Sequence, residues 1–124
     1  MVRTANPDLR VLGLVLFDVG SGDTRLHAEA RAELETMLAG IAPVLGTTIR
    51  HSRRAARDLR RRGETAAEYE QAALDAAPWY ADRSAPALSR AAGGLAADYE
   101  QLTADILTAV RVSTAAETAT DVAP

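Results

Sequence analysis

The sequence predicts an α/β fold: a partial parallel sheet formed by one βαβ unit, followed by three helices. Three observations carry this. Val11–Phe17 is an unbroken apolar run, as expected of a strand covered on both faces of a parallel sheet; a strand wetted on one side would alternate. From 24 to 39 the apolar residues Leu26, Ala30, Leu34, Met37 and Leu38 recur at helical spacing and form one stripe. Thr47-Thr48-Ile49 then supplies the β-branched end of a second strand over 44–49. A strand, an amphipathic helix and a strand in succession form a crossover unit, which closes right-handed with its strands parallel.

The elements follow in order. Residues 1–10 are polar and read as a flexible N-terminus, 11–110 as the folded α/β region and 111–124 as a disordered tail. Asp18 to Asp23 forms the turn into the first helix, and Gly40 stops that helix. Ser52 caps a short helix through Arg62, with Ala55, Ala56 and Leu59 facing inward, and Gly63 ends it. Thr65-Ala66-Ala67-Glu68 is a capping box that opens another helix to about residue 77. Pro78-Trp79-Tyr80 and Pro86 bracket a break, with Trp79 and Tyr80 covering the end of a core or facing a partner. A long helix over about 87–110 carries Leu88, Ala91, Ala92, Leu95, Tyr99, Leu102, Ile106 and Val110 as its stripe, with Asp98, Glu100 and Asp105 off it. Gly93-Gly94 weakens this helix locally and marks a bend. Because a fully apolar strand expects neighbours on both sides, two strands with helices read as the second half of a larger α/β sheet.

Composition excludes several chemistries. A length of 124 residues suits one small domain, and alanine, which buries little area per residue, is the largest part of the 48% hydrophobic content. With no cysteine there are no disulfides, thiolate metal sites or cysteine nucleophiles. Val11–Phe17 is too short to span a bilayer and lacks the flanks of a secretory signal, so a cytoplasmic protein with no membrane partner is expected. All 14 basic residues are arginine, and a Walker A loop needs a lysine to reach the phosphates. Gly20-Ser21-Gly22 therefore reads as a plain strand-to-helix turn. His27 and His51 lack partners at metal-ligand spacing, and Glu29, Glu33 and Glu35 read as a solvated helix face. The residues thus nominate no catalytic or metal site, and an independent enzyme would lack a convergent set of titratable groups.

What stands out is charge. Seven arginines fall between Arg50 and Arg62 with Asp58 as the sole acid, a local +6 that leaves −9 on the rest of a −3 chain. Arg50, Arg53, Arg54, Arg57, Arg60 and Arg61 recur at spacings of three and four, so several share a helix face. Aligned guanidiniums neutralise phosphates, with an affinity that falls steeply with salt and without base readout. The competing reading is a solvated face paired with Glu64, Glu68 and Glu70.

The order of segments, LGLVLFDV, RLHAEARAELETML, TTIR, HSRRAARDLRRRG, AAEYE and GLAADYEQLTADIL, resembles the C-terminal portion of ParA/Soj-type partition ATPases, particularly the actinobacterial plasmid variety. The likeness spans about 11–110 and rests on order and spacing, since each motif is short. It implies the C-terminal half of a P-loop ATPase fold without the Walker A loop and switch residues. ATP and magnesium, the cofactors of the full-length family, are therefore not expected for this chain, nor is hydrolysis. The resemblance places adenine contacts on the loops after the two strands, here Asp18, Arg50 and Ser52. Many relatives carry a proline where Thr48-Ile49 ends the strand, which alters the geometry of that contact.

The family also binds DNA without sequence preference through basic residues of its C-terminal half, and the arginine group corresponds to these as a set. The resulting expectation is a truncated ParA-like partitioning protein with non-specific, nucleoid-associated DNA binding. The alternative is a small interaction module that pairs with itself, as a homodimer, or with a partner partition protein.

Overall fold

The structure is a computed structural model that describes residues 5–20, 22, 24–76 and 90–122. It is α/β. Among the described residues, strands β1 (Leu14–Val19) and β2 (Val44–Arg50) form a two-stranded parallel sheet. Helix α1 (Thr24–Met37) connects them, and α2 (Arg53–Arg62), α3 (Ala66–Asp75) and α4 (Ala92–Val122) follow.

β1 sits two to three residues later than the apolar run implies. A ladder extends only where it has a partner, and here pairing opens at Leu14, whose amide donates to the Pro43 carbonyl at 2.9 Å. It closes where the His51 amide donates to Val19 O at 2.9 Å. Register is uneven, with Leu14 opposite Val44, Leu16 opposite Thr48 and Val19 opposite Arg50, so β2 bulges around Gly46.

The expectation that this strand is covered on both faces fails. Phe17 is 66% exposed, and of the strand only Val15 packs against the core. The α1 stripe is likewise only partly used. Ala30, Leu34 and Leu38 are half-buried, Leu26 and Met37 are exposed, and no residue of α1 is buried. With two strands in the sheet among the described residues, there is little apolar surface for α1 to cover.

The core lies beside β2. Ile49, Ala55, Ala66, Tyr69, Ala92 and Leu95 are buried together, with Leu59, Ala96 and Leu102 packed around them. Three helices meet there, and two of them, α2 and α3, have well-defined ends. Ser52 Oγ accepts from Ala55 N at the start of α2, and Gly63, at φ 64°, closes it with its amide on Leu59 O at 2.8 Å. That left-handed conformation suits glycine. The predicted capping box opens α3: Glu68 N donates to Thr65 Oγ1 at 3.2 Å and Thr65 N to Glu68 Oε2 at 2.7 Å. Of the residues assigned inward on α2, Ala55 is buried and Leu59 half-buried, but Ala56 is exposed.

α4 departs most from the sequence reading. Its described start is Ala92, while 77–89, with Trp79, Tyr80 and Leu88, lie outside the described residues. It continues through Val122, where a disordered tail from 111 was expected. Alanine is the strongest helix former. The hydroxyls of Thr114, Thr118 and Thr120 bond back to carbonyls one turn earlier at 2.9–3.0 Å, which spares these polar groups a search for other partners. Arg10 reaches across to Ser113 and Glu117 and ties the segment down.

Gly93-Gly94 is not merely a weak point. A Cβ on Gly94 would collide with the Arg50 guanidinium, Cζ lying 2.7 Å away, and one on Gly93 would lie 2.9 Å from Glu70 Oε1. Glycine lets the first turn of α4 approach both charged side chains.

Candidate functional site

The fold sorts the arginines into two classes. Arg50 ends β2 and is gripped by Asp98 of α4: its amide and Nε reach Asp98 Oδ2 at 3.0 and 2.8 Å, and Nη2 reaches Oδ1 at 3.0 Å. Such a bidentate, charge-assisted pair occupies the fork. Hydrogen bonds from Arg50 hold the Asp98 carboxyl below the usual carboxylate range, and Asp98 in turn raises the Arg50 guanidinium above its ordinary value. Arg62, at the other end of the segment, binds Glu64 through Nε and Nη2 at 2.8 and 3.0 Å and lies 5.5 Å from the centroid of the Tyr69 ring. Both arginines are structural rivets.

The five between them are free. Arg53, Arg54, Arg57, Arg60 and Arg61 are exposed, and among the described residues none has a carboxylate partner within ion-pair distance. At about 100° per residue they cover about a third of the α2 circumference, opposite buried Ala55. Glu64, Glu68 and Glu70, the acids that a self-neutralised face would use, are engaged elsewhere: Glu64 with Arg62, Glu68 with Thr65 and Glu70 with Arg90 at 3.5 Å. The first turn of α2 holds no acid and two of the free arginines, where the helix dipole favours anions.

Next to this face, a cleft of about 1060 Å³ opens at the C-terminal ends of both strands. In open α/β sheets that end is where ligands settle. The cleft brings together Asp18, Arg50 and Ser52, the three residues assigned to base contact by resemblance, although the Arg50 fork faces Asp98 and the Ser52 hydroxyl caps α2. Asp18 adopts a left-handed backbone (φ 60°), which asparagine and aspartate tolerate better than most residues. Its Oδ1 lies 2.5 Å from His51 Nδ1.

Sequence reasoning missed the apolar side of this cleft. Phe17, Leu95 and Tyr99 line it together with the arginines, with Phe17 66% and Tyr99 41% exposed. The available signal was an aromatic residue ending an apolar strand immediately before the turn that carries Asp18. The roles of Asp98 and Asp105 were missed too: set seven apart, they reach the sheet, Asp98 through Arg50 and Asp105 through the Thr47 hydroxyl. Hydrogen bonds from Thr47 and Gln101 hold the Asp105 carboxyl below its usual value.

Among the described residues no three His, Cys, Asp or Glu gather into a metal site, and no helix is long and apolar enough to cross a membrane. No family model, no curated protein and no solved structure matches the chain.

Proposed function

We propose that the chain is a sequence-neutral nucleic-acid contact module acting through the arginine face of α2, the counterpart of the DNA-facing shoulder of a ParA-like partition ATPase and without hydrolytic chemistry of its own. The single observation that carries this reading is the division of the arginines. Arg50 and Arg62 are consumed by internal partners, while five between them stay exposed and without a carboxylate partner among the described residues. Crowded like charges destabilise a helix unless they serve a polyanion. Arg53 and Arg54 sharpen the point, because they oppose the dipole of their own helix and a phosphate there would relieve both conflicts. Among the described residues no second side chain braces these arginines for reading base edges, so the arginines themselves contact the phosphate backbone.

The test is binding to random-sequence duplex and single-stranded DNA at rising salt. The wild-type protein binds at low salt and loses affinity as salt increases; a variant with Arg53, Arg54, Arg57 and Arg61 changed to Gln does not bind. Equal binding by that variant, or no binding by the wild type, removes the proposal.

A second reading, a pairing module, is favoured by a different observation. Among the described residues β1 has β2 as its one neighbour, which leaves its other edge open beside exposed Phe17. This reading expects concentration-dependent dimers in analytical ultracentrifugation whose stability ignores the arginine substitutions. A monomer at every concentration would rule it out.

A further inference from the structure

We infer that the nucleic acid this site prefers is an unpaired strand, its bases stacking on Phe17 and Tyr99 while its phosphates run along the α2 arginines. This rests on the nucleic-acid reading above and specifies its ligand. The arginine face does not stand alone: Arg53, Arg57, Arg60 and Arg61 line the cleft of about 1060 Å³ together with Phe17, Leu95 and Tyr99. Basic groove plus exposed aromatic side chains is the combination that holds single strands, because every base has a face to stack and the backbone follows the charge. A duplex has its base faces already stacked inside, so the aromatic side chains would gain nothing from it.

Dimensions agree. α2 has ten residues and is about 15 Å long, so its arginines span about 12 Å. At the duplex rise of about 3.4 Å per phosphate that length would meet about four, and an extended unpaired strand, whose phosphates are more widely spaced, sets fewer along it. The cleft is concave and, at about 1060 Å³, slightly exceeds the usual range of small-ligand pockets, about 300–1,000 Å³, so base-sized groups enter where a convex duplex backbone does not. Its charge also fits. Asp18 is the one carboxylate on its described lining and sits against His51, while Arg53, Arg57, Arg60 and Arg61 are free.

Phe17 and Tyr99 are exposed enough to be replaced without emptying the core. The experiment measures fluorescence anisotropy of short oligothymidylate, oligouridylate and a random duplex of equal length, with wild type, Phe17→Ala, Phe17→Leu and Tyr99→Ala. Circular dichroism confirms that each variant is folded. The expected result is tighter binding of either single strand than of duplex, a loss of about tenfold on single strands for each alanine variant, and duplex binding unchanged. Phe17→Leu should lose nearly as much, since it keeps apolar bulk but not the ring.

Duplex binding as tight as single-strand binding overturns the inference, as does a Phe17→Ala variant that keeps full single-strand affinity, and either outcome leaves the arginine face intact as a polyanion site. Loss of self-association by Phe17→Ala with unchanged strand binding overturns it in favour of sheet-edge pairing. No binding of any nucleic acid at low salt overturns both this inference and the reading beneath it.

Discussion

The two strands of the sheet have opposite fates. β2 holds the core: Ile49 is 1% exposed, and α4 grips the strand through Asp98 to Arg50 and Asp105 to Thr47. β1 is the more hydrophobic of the two, yet it leaves Phe17 in solvent, and the α1 crossover that follows buries no residue at all. Apolar composition states what a segment gains by burial, whereas neighbours decide whether burial happens. α4 packs on β2, and the capped helices α2 and α3 add Ala55, Ala66 and Tyr69 to the core around Ile49, so the less apolar strand holds the core.

The largest effect that tests this contrast is truncation on each side. Ile49→Ala should cost about 2–5 kcal/mol, since it empties the most enclosed large side chain, whereas Leu26→Ala on α1 should stay within about 0.5 kcal/mol. Urea denaturation measures both. Comparable losses would mean that α1 is as firmly packed as β2.

Next in size is Gly94→Ala. Alanine is the better helix former by about 1 kcal/mol, but its methyl group would displace the Arg50 guanidinium from Asp98. A net loss of about 1–3 kcal/mol is expected. Gly46→Ala, with nothing within 4 Å of the added Cβ, should be close to neutral. Thermal melts of the pair decide whether close approach or propensity governs the start of α4.

A smaller, pH-dependent effect follows from Asp98. Its carboxyl is held below the usual range mainly by hydrogen bonds from Arg50, so the folded state favours the ionised form. That stabilisation is complete above the unfolded value, about pH 4, and is lost as pH falls through the lower folded value. Asp98→Asn should therefore melt below the wild type at neutral pH, and the two melting temperatures should converge in acid. A gap that stays constant down to acid pH would show that the ion pair contributes no linkage. Smallest of all, Arg57→Gln should leave stability within about 0.5 kcal/mol, because no carboxylate partner among the described residues is lost.

Much of this was legible in sequence. Local signals with a mechanism, such as Ser52, Gly63 and the Thr65–Glu68 box, placed α2 and α3 nearly to the residue. The parallel crossover also followed from the segment pattern. Tertiary context supplied the rest. Arg50 looked like one more member of a cationic run; only the arrival of Asp98, 48 residues away, separates it from its neighbours. Asp98 and Asp105 looked like solvent-facing acids because their partners lie on another element. Helix beyond Val110 was missed because 111–122 has no apolar stripe; its support comes from alanine, threonine back-bonding and the distant Arg10. Phe17 read as core because nothing local indicated that the strand would stand at an edge.

The central claim is that folding leaves five arginines for a polyanion and withdraws two. The most direct measurement is the salt dependence of nucleic-acid affinity for single Arg→Gln variants. Replacing Arg53, Arg57, Arg60 or Arg61 should each reduce the slope of log K against log salt by about 0.7–0.9, while Arg62→Gln, which removes the same charge from a partnered site, should leave it unchanged. Equal reductions at Arg62 and at these four of the five free positions would contradict the claim.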